Sequence, residues 1–196
     1  MRFEELDETT RRWMLEEFRD EESTLPYRSP ALSAIGQGRF PALMEEAIRA
    51  GDEGSLAESL TDPSLWSRYE PAPQGGVRPV MPERAAIVLA RVEFNTWYVR
   101  GLCRRLLEEG EGLCQVYRAW DGDGSPDECD TLENRVLGVE HVYRGHRAKY
   151  HPSLRPEAFS IPSGPGCKHS IRRLPEDMKA MLELESRQFG GAFRKR

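Results

Sequence analysis

All four histidines of the chain, His141, His146, His151 and His169, come late in the sequence, together with Cys129 and Cys167, two of its four cysteines. Zinc takes such nitrogen and sulfur ligands in a tetrahedral arrangement. Cys167-Lys168-His169, just beyond the Ser163-Gly164-Pro165-Gly166 turn, can supply two of them. No Cys-x-x-Cys pair accompanies these six residues. They are therefore a candidate zinc site of no standard spacing, with buried thiols and hydrogen-bonded imidazoles as the alternative. The same residue types permit a thiol nucleophile, Cys167 with His141, His146 or His151 as its base. Nothing beyond nearby bases marks that thiol as activated. A Cys/His hydrolase or a metal-dependent nuclease is thus the enzymatic reading, set against an expectation of no catalytic residues at all. Asp121-Gly122-Asp123-Gly124-Ser125-Pro126-Asp127 alternates oxygen ligands like a calcium loop. It has Pro126 where that loop needs glycine and Leu132 where it needs a bidentate glutamate, which makes it a solvated turn. There is no phosphate-binding glycine loop, no Gly-x-Ser-x-Gly elbow and no His-Glu-x-x-His.

Charge is distributed unevenly. The 196 residues carry a formal net charge of -5 and a pI near 5.5, which argues against a generic nucleic-acid binder. The opening holds Glu4, Glu5, Asp7, Glu8, Glu16, Glu17, Asp20, Glu21 and Glu22 against few bases. The later part holds Arg135, Arg144, Arg147, Lys149, Arg155, Lys168, Arg172 and Arg173 against few acids. Two readings follow: a solvated polar face at each end, or a basic surface that contacts DNA or an acidic partner. In the second, Arg144, Arg147, Arg172 and Arg173 are the candidate contacts. No apolar run approaches the roughly 20 residues that span a membrane, so no membrane partner is expected. Four cysteines without a basic-plus-apolar leader suggest a reducing compartment.

These groups need a frame, and Met81 to Gly110 is the natural centre of it. Pro82 suits a first helical turn, Glu83 complements the positive end of the helix dipole, and Gly110 is a ready stop. Val88, Val92, Val99, Cys103 and Leu106 form one apolar stripe; Ile87, Ala90, Phe94, Trp97 and Tyr98 form another. Polar strips lie between them, Glu93, Arg100 and Arg104 on one side, Arg91 and Asn95 on the other. Two stripes predict a helix sandwiched between an N-terminal and a C-terminal layer. Arg91, Glu93 and Trp97 are then structural residues. A carboxylate enclosed at position 93 requires a partner, and a base from one of the flanking layers is expected.

The fold class is α+β: small N-terminal helices, one long central helix, a small C-terminal sheet and a closing helix. The helical N-terminal region covers 1–70, an extended connector 71–81, and the central helix with the α+β region 82–196. Asp7 caps a first helix from Glu8 to Glu21, with Trp13, Met14 and Phe18 inward. A short turn through Leu32 and Ile35 follows, then a helix opened by Pro41 and closed by Gly51. Leu56 and Leu60 mark another, and Thr61-Asp62-Pro63 begins one more, carrying Leu65, Trp66 and Tyr69. Pro71, Pro73, Gly75, Gly76 and Pro79 read as a surface loop or as an arm reaching a neighbouring subunit. Strands are expected over Leu113 to Trp120, Arg135 to Val142 (leading into a short helix) and Ala158 to Ile161. Pro175 to Phe189 closes the chain as a helix with Met178, Met181, Leu182 and Phe189 buried, before a basic tail.

Leu89-Ala90-Arg91-Val92-Glu93-Phe94-Asn95, the Cys129 loop and Pro165-Gly166-Cys167-Lys168-His169-Ser170-Ile171, in that order, resemble the C-terminal region of the tailed-phage head-morphogenesis family (phage Mu minor head protein). That region has a helix with an Ala-Arg-Thr-Glu-like core, a strand, a cysteine after a polar loop, and a His-Pro-x-Cys-Arg-Cys-like end. Arg91 and Glu93 fit the helix, with Val92 in place of threonine. Cys129 fits the mid-loop cysteine and Cys167 a terminal one. His169 stands where the last cysteine would be, so any metal site is altered. The resemblance covers roughly 83–173 and leaves the N-terminal helices without a counterpart. It implies a non-enzymatic virion protein, a minor-head or portal-proximal component oligomeric in the assembly. Portal, capsid or connector proteins would be its partners, in the virion and, during assembly, in the host cytoplasm. A head-to-tail adaptor is the alternative of the same class, and a zinc-stabilised nucleic-acid module the alternative of another.

Overall fold

From Val92 to Val99 the long helix α4 (Pro82–Glu108) is buried without a break. A helix covered on every side is an internal one, and the predicted sandwich is what the computed structural model contains. It describes residues 1–72, 74–121, 131, 133–148 and 160–189, with the backbone alone at 183 and 185–189. Cys129, His151, Pro73, Lys149, Arg155, most of the acidic loop and the basic tail lie outside the described residues. Pro82 occupies the first turn of α4. Its end is a glycine cap: Gly110 at φ +78 lets Glu111 N–H reach Leu106 O at 2.8 Å and Gly110 N–H reach Leu107 O at 3.1 Å, satisfying carbonyls that have no partner within the helix. Both apolar stripes are internal over most of their length. Ile87 is an exception, half-exposed, because Ala86 and Ala90 set the inward face of the first turns.

Helices make the N-terminal layer. Helix α1 (Glu8–Ser23) is capped as predicted, the Asp7 carboxylate accepting from Thr10 N–H at 3.0 Å. Met14 and Phe18 are buried, whereas Trp13 is half-buried beneath the Arg12 and Arg104 guanidiniums. Helix α2 (Ala34–Ala50) is one helix where the spacing suggested two. Ser33 caps it, and Gly36 lets its first turn press on the Leu65 carbonyl, where a Cβ would sit 2.0 Å from the oxygen. Pro41 inside it deprives the Gln37 carbonyl of a donor; Gln37 is exposed, so water can serve instead. Helix α3 (Glu53–Ser59) starts with an Asp52–Ser55 capping box. The helix expected through Tyr69 is only a 3-10 turn, Pro63–Leu65. The chain then turns into an antiparallel hairpin, β1 (Tyr69–Pro71) with β2 (Val77–Pro79), where a connector was expected. Gly75 and Gly76, at φ +89 and +78, make that hairpin's turn.

The C-terminal layer is an antiparallel sheet in the order β4 (Val136–Gly138), β3 (Leu113–Arg118), β5 (His169–Arg173). Val116 faces Ile171 and Tyr117 faces Ser170 across the β3–β5 ladder. The third strand is therefore the His169 segment, not Ala158 to Ile161; Ser160 and Ile161 are buried without strand pairing, and Ala158 lies outside the described residues. Helix α5 (Val139–Arg144) follows β4 as expected. Residues Cys114 to Tyr117 are all buried, because α4 and the N-terminal segment both cover the sheet; the Tyr117 hydroxyl donates to Arg2 O at 2.6 Å. Helix α6 (Glu176–Phe189) closes the fold. Met178 and Leu182 are half-buried on it, but Met181 is exposed, contrary to expectation, and so is Leu184. One continuous core runs from Met14 to Ile171 through α4. Among the described residues no helix is long and apolar enough to cross a membrane.

Candidate functional site

Glu17 and Glu21 lie one turn apart on α1 and face the polar strip of α4. The Arg100 Nε donates to Glu17 at 2.6 Å, and the Tyr143 hydroxyl donates to the other Glu17 oxygen at 2.8 Å. Arg100 also donates to Tyr143 O at 2.8 Å, with its guanidinium 3.6 Å from the Tyr143 ring centroid. One turn along, Arg147 bridges the layers. Its Nε reaches both Glu21 oxygens at 2.8 and 3.0 Å, while its two terminal nitrogens take Glu93 at 3.1 and 2.7 Å. His146 Nε2 lies 2.8 Å from Glu21. The required partner of Glu93 is thus a base from the C-terminal layer. Glu93 is 1% exposed and Arg147 5%. Arg147 also holds φ +52, a left-handed backbone that costs a non-glycine residue about 1–2 kcal/mol.

Burial opposes charge on these groups, and the hydrogen bonds answer it. Burial alone would raise the Glu21 carboxyl, but the hydrogen bond from His146 and the Arg147 guanidinium outweigh it and hold it below its ordinary value. His146 is pushed down, chiefly by burial and despite the Glu21 carboxylate. Trp97 packs edge-on to Phe18 at 5.1 Å and lies 5.1 Å from His146 and 5.3 Å from the Arg147 guanidinium. A cavity of about 10 Å³ bordered by Thr96, Arg100, His146, Arg147 and Ser160 has room for a single water. These charges therefore act on one another and on the packing of α1, α4 and α5; among the described residues the space beside them is about the size of one water.

A second cluster joins α4 to the sheet. The Asn95 amide donates to His169 O at 2.8 Å and its oxygen accepts from the Ser170 hydroxyl at 2.7 Å. His169, fully buried, has Nε2 3.3 Å from Glu133, and Arg118 holds the same carboxylate at 2.7 and 3.1 Å. The imidazole is held above its ordinary value by its hydrogen bond with Cys167, against burial, and by Glu133. The thiol of Cys167 accordingly lies with His169, while His146 belongs to the Glu21 cluster; His151 lies outside the described residues. Cys–His–carboxylate is an order used by thiol nucleophiles. Cys167 and His169 are both buried, the setting of a structural thiol. The other described thiols are similarly enclosed: burial raises Cys103 well above its ordinary value and Cys114 to about 12.

The candidate metal ligands are thus divided. His146 belongs to the α1 network, His169 and Cys167 to the sheet, and His141 to α5; Cys129 and His151 lie outside the described residues. Among the described residues no group of three or more His, Cys, Asp or Glu could hold a metal. Glu133 and Arg118 did not stand out in the sequence, since nothing in their spacing points to His169.

Arg144, Arg147, Arg172 and Arg173 do not make one basic face. Arg147 is internal. Arg172 takes Glu4 at 3.1 Å and the Gln115 amide oxygen at 2.9 Å. Arg173 binds Glu5, Glu109 and Glu111. Arg144 is exposed and pairs with Glu140 one turn back at 2.7 Å. Part of the opposed charge of the two chain ends meets inside one molecule: Glu4, Glu5 and Glu21 find their bases in Arg172, Arg173 and Arg147, and Glu17 finds Arg100 of α4. Arg91 lies instead with its guanidinium 3.6 Å from the Trp120 ring centroid. In comparison with known proteins, no family model matches the chain, and no curated protein or solved structure matches it.

Proposed function

We propose that this chain is a non-enzymatic structural protein of a tailed-phage head, a minor-head or portal-proximal component that works by packing against other virion proteins. The single observation that carries the proposal is the Asn95 bridge. The helix segment and the terminal segment that resemble the head-morphogenesis family lie more than seventy residues apart, and Asn95 ties them through His169 O and the Ser170 hydroxyl. Glu93, on the same helical turn, is anchored by Arg147. The helix segment and the terminal segment thus pack against each other. The polar clusters also support a scaffold, since their charges are used up in holding layers together.

The test is made on particles. Purified heads of the phage that encodes the chain are expected to contain it at low copy by quantitative mass spectrometry. Deleting its gene should yield incomplete heads or heads unable to receive tails. Complete, infectious particles from the deletion, together with absence of the protein from purified heads, would overturn the proposal.

A further inference from the structure

Among the described residues, two buried side-chain atoms have no hydrogen-bond partner, Trp97 Nε1 and the Ser160 hydroxyl. Of the two residues only Ser160 borders the small cavity beside Arg100 and Arg147. Ser160 is 5% exposed, and its hydroxyl carries one donor and two acceptor lone pairs. Taking such a group out of water without a partner opposes folding. The segment around it has the same need. Residues 160–163 are all buried yet pair with no strand, so no sheet ladder accounts for their polar groups.

What can answer that hydroxyl is limited by the cavity itself. At about 10 Å³ it accommodates one water and nothing larger. Acceptors are available around it. Thr96 spends its hydroxyl hydrogen on Val92 O at 2.8 Å, which leaves its lone pairs. His146 sets Nε2 2.8 Å from the Glu21 carboxylate, which only accepts, so Nε2 carries the hydrogen. Burial keeps the imidazole toward its neutral form, in which Nδ1 is then an acceptor. Charge rules out the ions of similar size. A cation would meet the Arg100 and Arg147 guanidiniums that border the space. An anion would compete with Glu17, Glu21 and Glu93, which already engage those guanidiniums. A neutral molecule that both donates and accepts is what remains.

We propose that the cavity is a binding site for one ordered water, which bonds the Ser160 hydroxyl and bridges it to Thr96 of α4 and His146 just past α5. The water is the joint that pins residues 160–163 to the seam between α4 and α5. A segment without ladder partners thereby gains a fixed position against the charged cluster. The inference goes beyond the head-assembly reading and stands or falls without it.

A crystal structure of the full chain, at a resolution that shows ordered water, is the first test. A peak is expected within hydrogen-bond distance, about 2.5–3.0 Å, of Ser160 Oγ. The second test is the sign of the Ser160→Ala effect. A hydroxyl bonded to a resident water contributes to stability, so its removal should lower the melting temperature and speed amide exchange at Ile161 and Ser163. An unpartnered hydroxyl opposes stability, so its removal would raise the melting temperature instead. An empty cavity in the crystal, a peak that anomalous scattering assigns to chloride or a metal, or a Ser160→Ala variant that melts at or above the parent would each overturn the inference. Failure of the particle experiment leaves all of these readouts unchanged, so the two readings are judged separately.

Discussion

Removing the carboxylate at position 93 tests the architecture most directly. In Glu93→Ala the Arg147 guanidinium loses its bonds at 3.1 and 2.7 Å but keeps both bonds to Glu21. Breaking a buried pair costs about 3–5 kcal/mol when one charge is orphaned; with Glu21 retained, about 3 kcal/mol is expected. Arg147→Ala is worse, because it strips Glu93 of both bonds and Glu21 of its guanidinium, and about 4–5 kcal/mol is expected from the same range. Alanine there also keeps the left-handed backbone, φ +52. Arg147→Gly relieves that strain and should therefore be milder than Arg147→Ala by roughly 1 kcal/mol. The double change Glu93→Ala/Arg147→Ala removes both charges and should cost less than the sum of the singles by about 2 kcal/mol, as coupled neighbours do. Urea melts followed by circular dichroism give these numbers, with tryptophan fluorescence as a second probe to which Trp97, 5.3 Å from the guanidinium, contributes. Single variants within about 0.5 kcal/mol of the parent, the range of surface substitutions, would refute the reasoning. So would an additive double variant, which would mean the two residues do not act as a pair.

Two further outcomes are expected. Replacing a helix-interior glycine by alanine ordinarily stabilises by roughly 0.5–1 kcal/mol, and Gly38→Ala on α2, with open space around it, should do so. Gly101→Ala should instead destabilise by about 2 kcal/mol, in the range for overpacking, because its Cβ would lie 2.6 Å from the Met14 backbone nitrogen; equal melting shifts for the two would sink the close α1–α4 contact. The histidines should act in opposite senses on the pH dependence of stability. His146 is depressed, so its contribution is present above the ordinary value of 6.5 and lost as pH falls through its folded value; Glu21, also depressed, adds a loss further down, below its ordinary 4.5. His169 is raised, so its contribution is full below 6.5 and lost as pH rises through its folded value. In melts across pH, His146→Gln should flatten the acid limb and His169→Gln the limb above 6.5; identical profiles for both would contradict these environments.

What the sequence determined by itself is what short-range physics controls. Asp7 caps α1 because its carboxylate meets an amide three residues on. Pro82 and Gly110 bound α4 because each suits one end of a helix, and the apolar spacing of α4 implied layers on both sides. Burial of Glu93 could be inferred too, along with its need for a base, since a charge between two apolar stripes has no other way to persist. The identity of that base could not be inferred. Arg147 lies fifty-four residues further on in a left-handed turn that its side-chain type disfavours, and only the surrounding packing holds it there. Helix α2 passes through Pro41 for a similar reason: the glycine contact at Leu65 and the exposed Gln37 carbonyl make continuous helix tolerable, and neither is visible from local propensity. Charge asymmetry misled most. Acidic and basic segments far apart in sequence suggested separate faces, whereas Arg172 and Arg173 close on Glu4 and Glu5 because the N-terminal segment lies over the sheet. Which charges meet solvent and which meet each other is a long-range matter, fixed by how the layers pack.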